Sequence, residues 1–206
     1  MNIIWKPNIL YSDAHILMQE YLKKRINHEI EDTLLLCSHP PVYTIGRQKG
    51  SEQSILNAGE VPCIFVERGG NVTFHGPGQL VGYPIVELPS HKHDIHAFLR
   101  FIEEFWIQFL QRWDIEAQRD DRNTGVWVEG KKIVAIGVAF RRWVAWHGFA
   151  LNIDVDLSYY YRINPCGMGS DLVTRLCDHT SVPLDIEEIQ KEVGNAFFAQ
   201  WEHWKT

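Results

Sequence analysis

Residues 68–84 read RGGNVTFHGPGQLVGYP, a run with five glycines, two prolines, Arg68 and His75. No regular helix accommodates that composition, because glycine is costly inside a helix and each proline removes a backbone donor. The run predicts a shaped loop around Gly69-Gly70, a short strand at 72–74, a forced turn at Gly76-Pro77-Gly78 and an extended apolar strand at 81–86. Taken alone, such a loop serves structure as readily as it serves a ligand.

Outward from this run the chain continues to favour strands. Candidates lie at 33–37, 42–45, 62–66, 125–128, 133–140 and 146–153, and Glu129-Gly130-Lys131 reads as a hairpin turn. Three amphipathic helices are also legible. The clearest covers 93–113, with Ile95, Phe98, Leu99, Ile102, Phe105, Trp106, Phe109 and Leu110 at helical spacing. An earlier one covers 13–31, with Ser12 placed to cap it, and a third covers 185–204. Strands outnumber helices and do not alternate with them, which predicts an α+β fold with a mixed or antiparallel sheet flanked by helices. With 206 residues and no internal repeat or linker, one domain over 1–206 is expected.

Composition narrows the function. Hydrophobic residues make up 45% and charged residues 22%, as in ordinary globular proteins, and no run approaches the length of a membrane span. The first residues lack a secretory pattern, so a cytoplasmic protein is expected, with no membrane partner. A net charge of −6 argues against a nucleic-acid binder. Basic residues still gather near the motif-bearing segments, as Arg47 and Lys49, Arg68, Lys131 and Lys132, and Arg141 and Arg142, which suits docking of an acidic partner. The four cysteines show no CxxC spacing and the acidic residues form no metal box, so neither a metal nor a disulfide framework is expected.

Among the cysteines, Cys37 and Cys63 lie in apolar strand-like runs and are expected to act as small hydrophobes. Cys166 instead sits in Asn164-Pro165-Cys166-Gly167-Met168-Gly169, a loop in which a thiol can be reached. A thiol of ordinary pKa is only about 3% thiolate at pH 7, so a nucleophilic cysteine calls for a cation nearby. His75 and Lys132 are candidates. Lys132 opens the otherwise apolar strand KIVAIGV, where a lysine either snorkels to solvent or pairs with an anion. His147 opens HGFALN, a run whose small residues let backbone approach a ligand or merely permit a tight bend. No GxSxG elbow, P-loop or strand-linked GxGxxG is present, so neither a serine hydrolase nor nucleotide chemistry is announced.

Four segments together, RGGNVTFHGPGQLVGYP, GVWVEGKKIVAIGV, HGFALNI and NPCGM, resemble the octanoyltransferase family of lipoate biosynthesis, in order and in spacing. The resemblance implies the fold of biotin and lipoate protein ligases and transfer of octanoyl from octanoyl-acyl carrier protein to a lipoyl-domain lysine. The acceptors it implies are E2 subunits of 2-oxo acid dehydrogenases and the glycine cleavage H protein, with no cofactor. Carried over by position, it makes Cys166 the nucleophile and Lys132 the lysine that tunes it. It assigns acyl binding to Arg68, Gly69, Gly70, Asn71, Val72, Thr73, Phe74 and His75, to Ala135, Ile136 and Gly137, and to Gly148, Phe149 and Ala150. The chain departs from the family pattern at Arg175, where a serine is common. An ATP-dependent ligase on the same fold and a non-catalytic acyl-binding module are the competing expectations.

Overall fold

The computed structural model describes residues 1–164 and 172–206. Among the described residues nine strands form two sheets, and the larger sheet gathers β1 (Asn2–Lys6), β2 (Thr33–Cys37), β6 (Gln79–Glu87), β7 (Gly125–Val128), β8 (Lys131–Arg141) and β9 (Val144–Asn152) in the order β1-β2-β6-β9-β8-β7. β1 runs parallel to β2, and every other neighbouring pair is antiparallel. The smaller sheet is β4 (Cys63–Phe65), β3 (Val42–Ile45) and β5 (Val72–His75), with β3 parallel to β4 and antiparallel to β5. Both sheets are mixed or nearly antiparallel, as expected from the spacing of the strands.

The large sheet is buried on both faces, and the two-residue period of its strands sorts the side chains between them. Leu34 and Leu36 of β2 join one core with α2 (Ile95–Gln111) and α3 (Ile186–Trp204), whereas Leu35 and Cys37 face a second core closed by α1 (Tyr11–Ile26). Asp94 and Asp185 cap α2 and α3 by accepting from the N–H groups of the first turn. α1 starts two residues earlier than its periodicity suggests. Ser12 therefore lies inside the helix, Leu10 holds the cap position, and no side chain caps it. Ile95, counted with the apolar face of α2, lies in the first turn and is exposed. Val128 pairs with Lys131 across Glu129-Gly130, both at positive φ, so the expected hairpin turn is a two-residue one of the type that suits sheet twist.

Pro84 sits in the middle of β6, a central strand, although proline usually marks an edge. Its missing donor has a structural counterpart. The β6–β9 ladder pairs Gly82 with Phe149 and Val86 with Ala145, which places Pro84 opposite His147, and no pairing is made in between. At that interruption His147 adopts φ 56°, a left-handed backbone. Its neighbours Ala145 and Phe149 face the α2 and α3 core, yet the His147 ring meets His15 of α1 and the Glu67 carboxylate on the other side. The broken ladder turns this one side chain through the sheet. Such a backbone costs about 1–3 kcal/mol in a residue other than glycine and persists where the surroundings enforce it.

Candidate active site

One cavity, with about 880 Å³ of empty space including its mouth, lies between the two sheets. Arg68 to Thr73 and His75 line it from the glycine-rich loop and β5, Lys132 and Ala135 to Gly137 from β8, and Gly148 to Ala150 from β9. Residues assigned from three separate stretches of sequence thus meet around one space. Phe74 does not join them. The strand period turns it to the opposite face of β5, where its ring stacks on Tyr159 at 4.4 Å. Phe149 reaches the cavity from β9, but its ring packs on Trp106 and over Gly82. Gly148 is required here, since a Cβ would run into the Gly82 carbonyl and Pro84.

The glycine loop is pinned by its own arginine. Arg68, buried against β3, donates from Nη2 to the Thr44 carbonyl at 2.7 Å and to Thr44 Oγ1 at 2.9 Å, and from Nη1 to the Gly69 carbonyl at 3.0 Å. The Gly69 N–H donates to the Val138 carbonyl, tying the loop to β8 as well. The Arg68 guanidinium therefore shapes the loop, whose backbone then faces the cavity.

Sequence reasoning did not anticipate Tyr11, Tyr83, Asn152, Tyr160, Leu172 or Val173 in the lining. The polar ones form a buried network. The Gln79 amide nitrogen reaches Asn152 Oδ1 at 2.8 Å and the Tyr160 hydroxyl at 2.9 Å, and its oxygen accepts from His75 Nδ1 at 3.2 Å. Asn152 Nδ2 in turn donates to the Thr174 carbonyl at 2.9 Å, anchoring the chain just beyond residues 165–171. His39 Nδ1 faces the Ile9 carbonyl at 2.8 Å, which fixes the proton on Nδ1 and leaves Nε2 to accept from the Tyr83 hydroxyl, also at 2.8 Å.

Burial sets the charge state of this wall. It pushes His39 down to about 4 and His147 down to about 3, and it holds His75 well below the usual histidine range, with the neighbouring His39 and Arg68 adding to the effect. Burial also raises the Tyr11 and Tyr83 phenols. At neutral pH these groups are uncharged, and His75 is therefore no source of positive charge for a thiolate. Besides the loop-pinning Arg68, the structure brings Lys132 to the cavity as a cation. Its Nζ donates to the Thr124 carbonyl at 2.9 Å and lies 4.9 Å from the centre of the Trp127 ring. Its backbone carbonyl accepts from Thr174 N, and Lys132 bridges Val173 in parallel, so β8 holds the segment that follows residue 171.

Cys166 lies outside the described residues. Leu172 and Val173, a few positions beyond it, line the same cavity as Lys132. Of the other thiols, Cys37 is fully buried as expected, but Cys63 is exposed, because β4 is an edge strand with little cover. Burial and the Asp154 carboxylate raise the Cys177 thiol to about 11, which makes it a poor nucleophile. Arg175 makes contacts within the chain, with Nη1 3.1 Å from Asp154 and Nε 3.1 Å from Asp178. Outside the cavity, Arg47, Arg141 and Arg142 converge with Lys23 around a second groove that Glu67 also lines.

Residues 11–198 match the family model of the lipoyl protein ligase A/B catalytic domain. The octanoyltransferase of Rubrobacter xylanophilus is 45% identical over 195 residues, covering 91% of this chain and 87% of that protein. Among solved structures, the bi-partite lipoate protein ligase of Thermoplasma acidophilum superposes with a TM-score of 0.74 at 16% identity, over 98% of this chain and 83% of that one. The biotin protein ligase of Aquifex aeolicus gives a TM-score of 0.58 at 13% identity, over 100% of this chain and 71% of that one. At such identities these two likenesses concern the fold.

Proposed function

The chain belongs to the lipoyl protein ligase A/B catalytic-domain family and is an acyltransferase of the octanoyltransferase type, and we propose that it moves octanoyl from octanoyl-acyl carrier protein to a lipoyl-domain lysine through a Cys166 thioester. The observation that carries this reading is the convergence of Lys132, the glycine-rich loop and the segment that follows Cys166 on one cavity.

In this mechanism the Cys166 thiolate attacks the thioester carbonyl of the donor and the carrier's phosphopantetheine thiolate leaves, so one thioester replaces another and no ATP is consumed. The acceptor lysine amine then attacks the octanoyl-enzyme, an amide forms, and the Cys166 thiolate is released. Lys132 as an ammonium stabilises the thiolate in the first half and gives its proton to the departing phosphopantetheine thiolate, and the free amine so formed takes the proton of the attacking lysine in the second. These are successive states of one group. Backbone amides of the loop at 68–75 and of the Gly148 region supply donors to the developing oxyanion. The neutral buried wall suits an acyl chain, whose six methylenes contribute about 0.8 kcal/mol each on leaving water. Discrimination between neighbouring chain lengths is correspondingly modest.

The donor carrier is acidic in this reading and approaches the groove bordered by Arg47, Arg141 and Arg142. The acceptors are lipoyl domains of 2-oxo acid dehydrogenase E2 subunits and the glycine cleavage H protein, and the whole chain, 1–206, acts as one catalytic domain in the cytoplasm. Among the described residues no helix is long and apolar enough to cross a membrane. The test is transfer from octanoyl-acyl carrier protein to a purified lipoyl domain without ATP, followed by mass of the acceptor. Acylation under those conditions is the expected result. Acylation from free octanoate that demands ATP would assign the chain to the ligase reaction, and donor binding without transfer would make it a binding module.

A further inference from the structure

His15 of α1, Glu67 of the loop after β4 and His147 of β9 are far apart in sequence, yet their ligating atoms all lie within 4.8 Å of one another. His15 Nε2 is 2.8 Å and His147 Nε2 3.5 Å from the same oxygen, Glu67 Oε2. We propose that these three side chains form a site for a zinc-class divalent cation at the wall of the acyl cavity, with a fourth position open to solvent.

The distances suit such an ion. Zinc bonds of ~2.0–2.2 Å to imidazole nitrogen and carboxylate oxygen, at tetrahedral angles, place neighbouring ligand atoms about 3.3 Å apart. Both contacts to Glu67 bracket that separation, and all three ligating atoms lie within 4.8 Å of one another. A second observation points the same way. The His147 ring is only 1% exposed, and neither of its nitrogens has a hydrogen-bond partner among the described residues, with the Glu67 carboxylate 3.5 Å from Nε2. A buried imidazole seldom goes unsatisfied, and here the strained backbone at His147 aims it at Glu67 and His15. Trp146 packs against both rings, tilted against His147 at 4.3 Å and stacked on His15 at 5.9 Å.

Two imidazoles and one carboxylate favour zinc and its first-row neighbours over magnesium or calcium, which prefer oxygen alone. The His15 and Glu67 side chains are 19% and 30% exposed, and Glu67 borders the second groove, so an ion and its water can enter from there.

Cobalt(II) titration of the chelator-treated full-length protein tests this, because cobalt reports its ligands by absorption. The expected result is one equivalent bound with visible d–d bands and no sulfur-to-metal charge-transfer band, weakened roughly tenfold or more in His15→Ala and in Glu67→Gln. Zinc, and not magnesium, should raise the melting temperature of the wild type and leave that of His15→Ala unchanged. Circular dichroism establishes that both variants are folded. The proposal is overturned if no saturable binding occurs, if the spectrum shows thiolate ligation alone, or if His15→Ala binds as the wild type does.

Discussion

Replacing Thr44 by valine removes one hydroxyl and keeps the shape of a fully buried side chain. That hydroxyl accepts from Arg68 at Nη2, 2.9 Å, and at Nε, 3.3 Å. The Thr44 carbonyl remains as an acceptor, so the variant loses part of the set that holds a buried guanidinium. Hydrogen bonds to charged groups contribute about 1.5–3 kcal/mol each, and the 3.3 Å contact is the weaker, so Thr44→Val should destabilise the fold by about 2–3 kcal/mol. With a urea slope of about 2 kcal/mol per molar, the unfolding midpoint falls by roughly 1 M. Thr44→Ser keeps the acceptor and should lose less than about 1.5 kcal/mol, the scale of one buried methyl. Because Arg68 shapes the loop that lines the cavity, Thr44→Val should also slow acyl transfer from the carrier, while Thr44→Ser should not. Urea titration followed by tryptophan fluorescence, paired with transfer rates, measures both. A midpoint for Thr44→Val equal to that of wild type, or a Thr44→Ser variant as damaged as Thr44→Val, would refute the anchoring role.

Acid should destabilise the protein before its carboxylates protonate. His39, His75 and His147 have folded pKa values below the unfolded value near 6.5, so their stabilising contribution is complete above that pH and is lost as pH falls toward about 4 for His39 and about 3 for His147. Each adds about 1.4 kcal/mol per pH unit in that window, and urea midpoints that stay flat between about pH 7 and about pH 5 would show that these rings are not buried neutral. Gly137→Ala places a methyl 3.0 Å from Arg68 Cδ and 3.2 Å from the Gly69 carbonyl, narrowing the cavity. It should lower the ratio of octanoyl to hexanoyl transfer by several-fold, measured with matched carrier donors, and an unchanged ratio would remove this wall from the acyl site. Arg175→Ser breaks only partly exposed ion pairs, so it should cost no more than about 1 kcal/mol and leave the transfer rate within about twofold of wild type. A large loss of transfer with native stability would instead place Arg175 in carrier docking.

Where a segment's pattern matches its burial, the chain announces its own structure. β2, β3 and β7 lie where their apolar runs place them, because each is covered on both faces. β1 escapes notice because its edge position leaves most of NIIWK uncovered and blunts the pattern. β4 misleads in the opposite sense, since an apolar run at a sheet edge leaves Cys63 and Phe65 exposed.

The candidate site was legible where glycine and proline constrain backbone and illegible where the fold assembles distant side chains. The loop at 68–75, Lys132 and the β8 and β9 segments do converge, but Phe74 falls to the strand's other face. Tyr11 reads as one more apolar residue of α1, and nothing in its local sequence says that it meets His75, whose ring lies 6.0 Å away and nearly parallel. The His147 signal was present in Pro84, a proline in a central strand, but its meaning depends on a register that brings residue 84 opposite residue 147. No local spacing encodes that pairing.

The central claim is that acyl transfer passes through a thioester on Cys166 supported by Lys132. Intact-mass spectrometry after mixing the protein with octanoyl-acyl carrier protein, without ATP or acceptor, tests it directly. The account predicts a single octanoyl adduct on wild type, none on Cys166→Ala and a slowed adduct on Lys132→Ala. An unmodified wild type with a verified donor, or an adduct that persists in Cys166→Ala, would contradict it.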